Sequence, residues 1–226
     1  DIIVLKISDN VTMDEKEPKA VLTGTHHGNE INSTEVIVAM EEELLQKYNS
    51  DPKIKAIVDS REIYLVPSVN VDGFIRGTRY DINGIDPNRD YPGPLLPEHN
   101  SIPCITALRS LVEKIKPAVV VDYHSSGQLH MFPWAYKTEP CDQQALFSLI
   151  TSNMSKLNNY RFGSISTIIY PAKNSSADFW YWKYKLMALG IEIGTSFNSP
   201  REKAIQETLP AAYYLLSEGI ESFINN

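Results

Sequence analysis

Short apolar runs of strand length alternate along the chain with longer segments whose apolar residues recur every three to four positions. That alternation is the pattern of an α/β protein. Ile2–Ile7 and Ala20–Thr25 read as strands, separated by a polar hairpin or loop over Ser8–Lys19. Asn29–Tyr48 places Ile31, Val36, Met40 and Leu44 at helical spacing with acidic residues on the other face. A short segment from Pro52 leads to a strand over Glu62–Val69. Further along, the pattern predicts a helix over Ile105–Lys116, a buried strand over Ala118–Tyr123 and a loop with aromatics to Pro140. A helix over Cys141–Leu157, a polar loop over Tyr170–Phe179, a strand over Leu186–Ile193 and a closing helix over Gln206–Ile224 complete it. No repeat, linker or low-complexity tract interrupts the series, so one domain over residues 1–226 is expected.

The stretch Asn70–Pro103 departs from both periods. It is dense in Gly, Pro, Asn, Asp and Arg, and a loop of such length inside a compact domain is usually functional. Three polar clusters also fall at strand ends: His26-His27-Gly-Asn-Glu30 after Ala20–Thr25, Asp122-Tyr-His124 closing Ala118–Tyr123, and Glu192 late in the last strand. Open α/β sheets bind ligands outside the carboxyl ends of their strands. Three polar groups delivered to one edge therefore mark a site.

Composition narrows the partners. With 226 residues and 42% hydrophobic, the chain can bury one sizeable core. A net charge of −7 lacks the basic stripe that nucleic acid requires. No apolar run approaches the ~20 residues of a membrane span. Asp1 is not an initiator, so an upstream segment is expected to have been removed. The Asn-x-Ser/Thr triplets at Asn10, Asn32, Asn153 and Asn174 are read as chance in a chain rich in these residues. Cys104 and Cys141 allow one disulfide or two free thiols.

At the first cluster an imidazole and a carboxylate three residues apart can converge on one ion. Neutral imidazole plus carboxylate suits zinc, which in catalytic sites keeps three protein ligands and one open position. Spacing alone does not choose between His27 and His26, which stands four residues before Glu30. His124 closes a run of valines, and Glu192 lies inside the apolar strand Met187-Ala-Leu-Gly-Ile-Glu-Ile. A buried carboxylate costs several kcal/mol unless it meets a cation or a proton, so Glu192 is a candidate for chemistry.

Six segments then resemble, in order, the signatures of the zinc metallocarboxypeptidases of the pancreatic and related bacterial type. They are His27-Gly-Asn-Glu30, Asn70-Val-Asp-Gly-Phe74, Arg79 through Asp86-Pro-Asn88-Arg89-Asp-Tyr, Asp122-Tyr-His124-Ser-Ser-Gly-Gln, Ile169-Tyr170-Pro-Ala and Gly190-Ile-Glu192. The resemblance implies a twisted α/β sheet of mixed parallel and antiparallel strands, flanked by helices on both faces. It implies one zinc ion per chain, held by His27, Glu30 and His124. Glu192 would be the general base, Arg79 the polariser of the scissile carbonyl, and Asn88 with Arg89 the clamp for a C-terminal carboxylate. Tyr170 would be a mobile lid residue, and Asp86 would accept a hydrogen bond from the imidazole of His27. Arg76 stands in for Arg79 if the longer pancreatic loop is the better guide.

The resemblance also implies a side-chain pocket lined by Ala135, Ile165, Ile169, Ala177 and Gly190. None is acidic, which favours non-basic C-terminal residues, while Lys173 nearby could attract an acidic group. Asn29 stands where many relatives carry arginine, and Ser126 where the pancreatic enzymes carry tyrosine. The expected partner is a peptide with a free C-terminal carboxylate, acted on by a monomer in a secreted or periplasmic setting. The resemblance also implies a strand and a helix ahead of the segment Ile2–Ile7, so an N-terminally trimmed piece of the domain is expected. A zinc amidase or deacylase on the same fold shares the metal site and is the alternative. A catalytically silent binding domain is the other, and it is disfavoured because Glu30, His124 and Glu192 are all present.

Overall fold

The computed structural model describes residues 1–226. Seven strands form one sheet: β1 (Leu5–Ile7), β2 (Lys19–Thr23), β3 (Glu62–Val66), β4 (Val119–Ser125), β5 (Leu129–Phe132), β6 (Arg161–Ser164) and β7 (Met187–Ile193). Their spatial order is β1-β3-β2-β4-β7-β5-β6. The central strands β3, β2, β4 and β7 run parallel, whereas β1 joins β3 and β5 joins β7 antiparallel. The mixed sheet is the one expected.

Parallel central strands are covered on both faces, which explains why β4 is buried at every position. Its Val119, Val120 and Val121 pair with Met187, Ala188 and Leu189 of β7. α1 (Ile31–Lys47) turns Val36, Ile37, Met40 and Leu44 inward and packs on β2, β3, β4 and α8 (Arg201–Tyr214). Full burial of each such side chain stabilises the fold by roughly 1.5–3 kcal/mol. α2 (Pro52–Val58) starts where the Asp51 carboxylate accepts the N–H groups of Lys53 and Ile54, satisfying donors a helix start leaves free.

The loop-like stretch after β3 contains a short helix, α3 (Val71–Arg76), and a 3-10 turn over Pro87–Arg89. Asn70 caps α3 by accepting from the N–H of Gly73. α4 (Pro103–Ile115) and α5 (Gln144–Asn158) end in residues of positive φ, Lys116 and Asn159. Both cysteines are free: Cys104 lies in the first turn of α4, and Cys141 precedes α5.

Several elements escape the sequence pattern. β5 and β6 are four residues each, too short to show a period. After the one-turn α6 (Ile165–Ile168) comes α7 (Ser176–Tyr184), where a loop was expected as far as Phe179. Its aromatic sequence carries no amphipathic stripe, because Phe179, Trp180 and Tyr181 are all buried. The closing helix is also broken, with a π-type turn at Leu215–Gly219 before α9 (Ile220–Ile224). No helix is long and apolar enough to cross a membrane.

Candidate active site

Because the central strands are parallel, their carboxyl ends share one edge of the sheet. The turn after β2 delivers His26, His27 and Glu30, the end of β4 delivers Asp122 and His124, and β7 delivers Glu192. A cavity of about 290 Å³ opens there. Into it converge His27, Glu30, His124, Glu192, Arg79, Asn88, Arg89 and Tyr170.

The turn that carries His27 is held by backbone contact. A Cβ on Gly28 would lie 1.9 Å from the carbonyl carbon of Gly73, so the chain passes against α3 with no space for a side chain. On this crossing His27 turns Nδ1 toward Glu30 Oε1 at 2.8 Å and Nε2 toward Asp86 Oδ1 at 3.2 Å. His124 turns its own Nδ1 toward Glu30 Oε2 at 2.9 Å, and the N–H of Ser125 donates to the same oxygen. One ligand atom from each of His27, Glu30 and His124 lies within 4.8 Å of the others, and all three residues are buried. Two ring nitrogens facing the two oxygens of one carboxylate form a donor set that a divalent cation satisfies with a lone pair from each residue. Two imidazoles and one carboxylate suit zinc in particular.

His26, Asp122 and His124 form a second convergent group. His26, however, is fully buried, its Nε2 bonded to Tyr91 Oη at 2.8 Å, and it does not reach the cavity. His27 does. Of the two histidines that spacing leaves open, His27 is the one that lines the cavity.

The electrostatics follow from burial and neighbours. Burial opposes charge on Glu30, but His124 and His27 outweigh it and hold the carboxyl below its ordinary value. For His124 burial works downward, while Glu30, then Glu192 and Asp122, push it up. Asp86 is held low despite burial by the hydrogen bond to His27 and by Arg79 and Arg89. Glu192 keeps a little solvent access through the cavity, yet Oε2 has no hydrogen-bond partner. Burial raises its carboxyl, with Glu30 reinforcing and His124 opposing.

Arg79 lies along one wall, its Nη2 at 2.9 Å from Asp86 Oδ2 and its Nη1 at 3.2 Å from His27 Nδ1. Arg76 instead donates to the carbonyl of Ile82 and is exposed outside the cavity. At the other end Arg89 reaches Tyr170 Oη at 3.3 Å. Asn88 accepts from the N–H of Ser176 at 2.9 Å, which turns its Nδ2 toward His124 Nε2 at 3.1 Å. Tyr170 is half exposed.

The apolar lining includes Ile165, Ile169, Ala177 and Gly190, together with Met131 and Ala172. Ala135 is not among the lining residues; it is fully buried behind Ala172, whose N–H donates to its carbonyl at 2.8 Å. Lys173 is exposed and also outside the cavity. Ser175, Ser176 and Phe197 also line the cavity, and none of them stands out in the sequence as a site residue. A signal existed for the two serines. Ser175-Ser-Ala-Asp178 has the spacing of a helix-capping box, and Ser175 Oγ accepts from the N–H of Asp178.

A family model described as zinc carboxypeptidase matches residues 1–214. The chain is 26% identical over 247 residues to a zinc carboxypeptidase of Saccharothrix mutabilis subsp. capreolus, an alignment covering 88% of this chain and 55% of that protein. It is 29% identical over 216 residues to human carboxypeptidase A1, covering 80% and 51%. The chain thus spans about half the length of these curated relatives. Among solved structures, thrombin activatable fibrinolysis inhibitor superposes with a TM-score of 0.86 at 18% identity, covering 100% of this chain and 66% of that one. Carboxypeptidase A of Helicoverpa armigera superposes at 0.80 with 14% identity, covering 98% and 65%. At such identities the superpositions establish a shared fold.

Proposed function

We propose, since this chain belongs to the zinc carboxypeptidase family, that it removes the C-terminal residue of peptides by hydrolysis, using His27, Glu30 and His124 to hold one zinc ion. The observation that carries this reading is the sharing of one cavity by that triad, Glu192, and the group Asn88, Arg89 and Tyr170.

His27, Glu30 and His124 would hold the zinc, which when bound would supply the Lewis acidity that makes water nucleophilic near neutral pH. The chain's own residues do the rest. Arg89 and the Nδ2 of Asn88 supply donors to a free carboxylate, and a guanidinium beside an amide makes that recognition strong and directional. Their placement fixes the end of the substrate, so the bond one residue inward meets the triad. Glu192, without a hydrogen-bond partner at Oε2, takes the proton of the attacking water and returns it to the departing amine. Arg79 donates to the oxyanion that develops on the carbonyl. The C-terminal side chain enters the space between Met131, Ile165, Ile169, Ala177 and Gly190, which holds no acidic group and so favours apolar residues over Lys or Arg.

The test is a panel of peptides varied at the C-terminal residue, each also made as its amide, assayed with and without chelator. Cleavage of the acids alone, abolished by chelation, is expected. Equal cleavage of the amides would favour an amidase, and fastest release of Lys would reject the apolar pocket.

A further inference from the structure

We propose that Asp178 is a positioning residue for the side-chain pocket, its carboxylate clamping the first turn of α7 to the loop behind the opposite wall. The proposal rests on the carboxypeptidase reading for what the pocket receives, though not for the clamp itself.

The pocket has no single supporting element. Ala177 comes from the first turn of α7, Ile165 and Ile169 from α6 and its exit, and Ala172 from the coil that follows. Between these pieces runs the segment after β5, residues 133–137, which contributes nothing to the lining. It is nevertheless the piece to which the others attach. The N–H of Ala172 donates to the carbonyl of Ala135 at 2.8 Å, the N–H of Ser166 to that of Trp134 at 3.1 Å, and Ser166 Oγ to that of Lys137 at 2.6 Å. These bonds fix the wall to the segment. Asp178 then fixes the segment to α7: its Oδ1 accepts from the N–H of Ala135 at 2.7 Å and its Oδ2 from that of Tyr136 at 2.9 Å.

No other side chain spans that gap with two acceptors. Asp178 is 2% exposed. Burial raises its carboxyl to about 7, and the two N–H bonds and the charge of Lys137 pull the other way. A carboxylate kept in such a place without an ion-pair partner is costly, and the two amides are what it holds. The same turn also orients the clamp for the substrate carboxylate. Ser176 Oγ donates to Asp122 and its N–H to Asn88, so a shift of α7 would move Asn88 and Ala177 together.

Asp178→Asn tests the clamp, since an amide offers one acceptor and turns an NH2 toward the second N–H. Two readouts are expected to move. Amide hydrogen exchange at Ala135 and Tyr136 should accelerate at least about tenfold, the scale of one weakened buried hydrogen bond. KM should rise about tenfold for the C-terminal residue the unmodified enzyme prefers and less than about threefold for C-terminal alanine, with kcat nearly constant, as expected for a displaced pocket wall. Unchanged exchange overturns the clamp. An equal effect on both substrates, or a loss confined to kcat, overturns its role in the pocket. Should Asp178→Asn fail to fold, Ser166→Ala removes one bond on the other side of the same loop. A smaller selective rise in KM then supports the proposal and no change rejects it. A protein with no activity on any peptide acid would refute the carboxypeptidase reading while leaving the exchange measurement to decide the clamp.

Discussion

His124 and Glu192 are direct partners in the parallel ladder between β4 and β7. Side chains at paired positions leave the same face of a sheet, about 4.8 Å apart along the hydrogen-bonding direction. Register alone therefore sets the proposed base beside a proposed ligand. Glu192→Gln keeps the shape and removes the charge. We expect kcat to fall by about 10²–10⁴, the usual contribution of a general base, with zinc content unchanged by atomic absorption. A loss below tenfold would reject Glu192 as the base.

The acidity of that residue gives a second expectation. Burial raises the Glu192 carboxyl, and a base works only when ionised. Activity is therefore present above the raised value and disappears as pH falls through it. The acid limb of kcat/KM should lie above the ordinary glutamate value of about 4.3. A limb at or below that value would mean that another group controls it.

Asp86 supports His27 from behind through Nε2. Removing such an outer partner commonly costs about 10–100-fold in metal affinity. Asp86→Asn should show that loss in competition with a chelator. Affinity equal to the unmodified protein would show that Asp86 does not act on the metal centre.

Away from the site, His130 sits fully buried in β5, its Nε2 donating to Asn158 at 3.0 Å and its ring stacked on Tyr160. Burial lowers it from 6.5 to about 4, against the opposing bond to Asn158. The unfolded chain thus binds a proton between those values that the folded one refuses. The resulting stability is complete above pH 6.5 and is lost as pH falls through 4. The full effect is on the order of 3 kcal/mol. Denaturant titrations of His130→Gln should show a shallower decline across that window than the unmodified protein. Identical slopes would exclude His130 as a source of acid lability.

Much of this arrangement was legible in the chain. Strands β2, β4 and β7 announce themselves by apolar runs, and the polar residues at their ends stand out because such runs do not tolerate them. Which of His26 and His27 lines the cavity was not legible from spacing, since it depends on which way one turn faces. Ala135 was misplaced for a related reason. It follows β5, whose four residues take their place from pairing with β7 rather than from any pattern of their own. The frame of the pocket was hidden too, because a helix whose first six residues are all buried shows no apolar stripe by which to recognise it.

The contact between Gly28 and Gly73 bears on how this sequence is free to drift. Neither residue touches substrate or metal by any side chain, yet neither can change alone. Gly73 is itself enclosed, with the side chain of Asn70 and the carbonyl of Tyr80 within 2.6 Å of where a Cβ would stand. Enlarging one glycine therefore cannot be compensated by altering the other, and the pair is locked in every descendant that keeps the turn. In a library of single substitutions selected for activity, both positions should accept nothing but glycine. Ile75 and Ile82, exposed on the same stretch of chain, should accept almost anything. The tightest inheritance around this cavity would then belong to two residues that have no side chain to inherit.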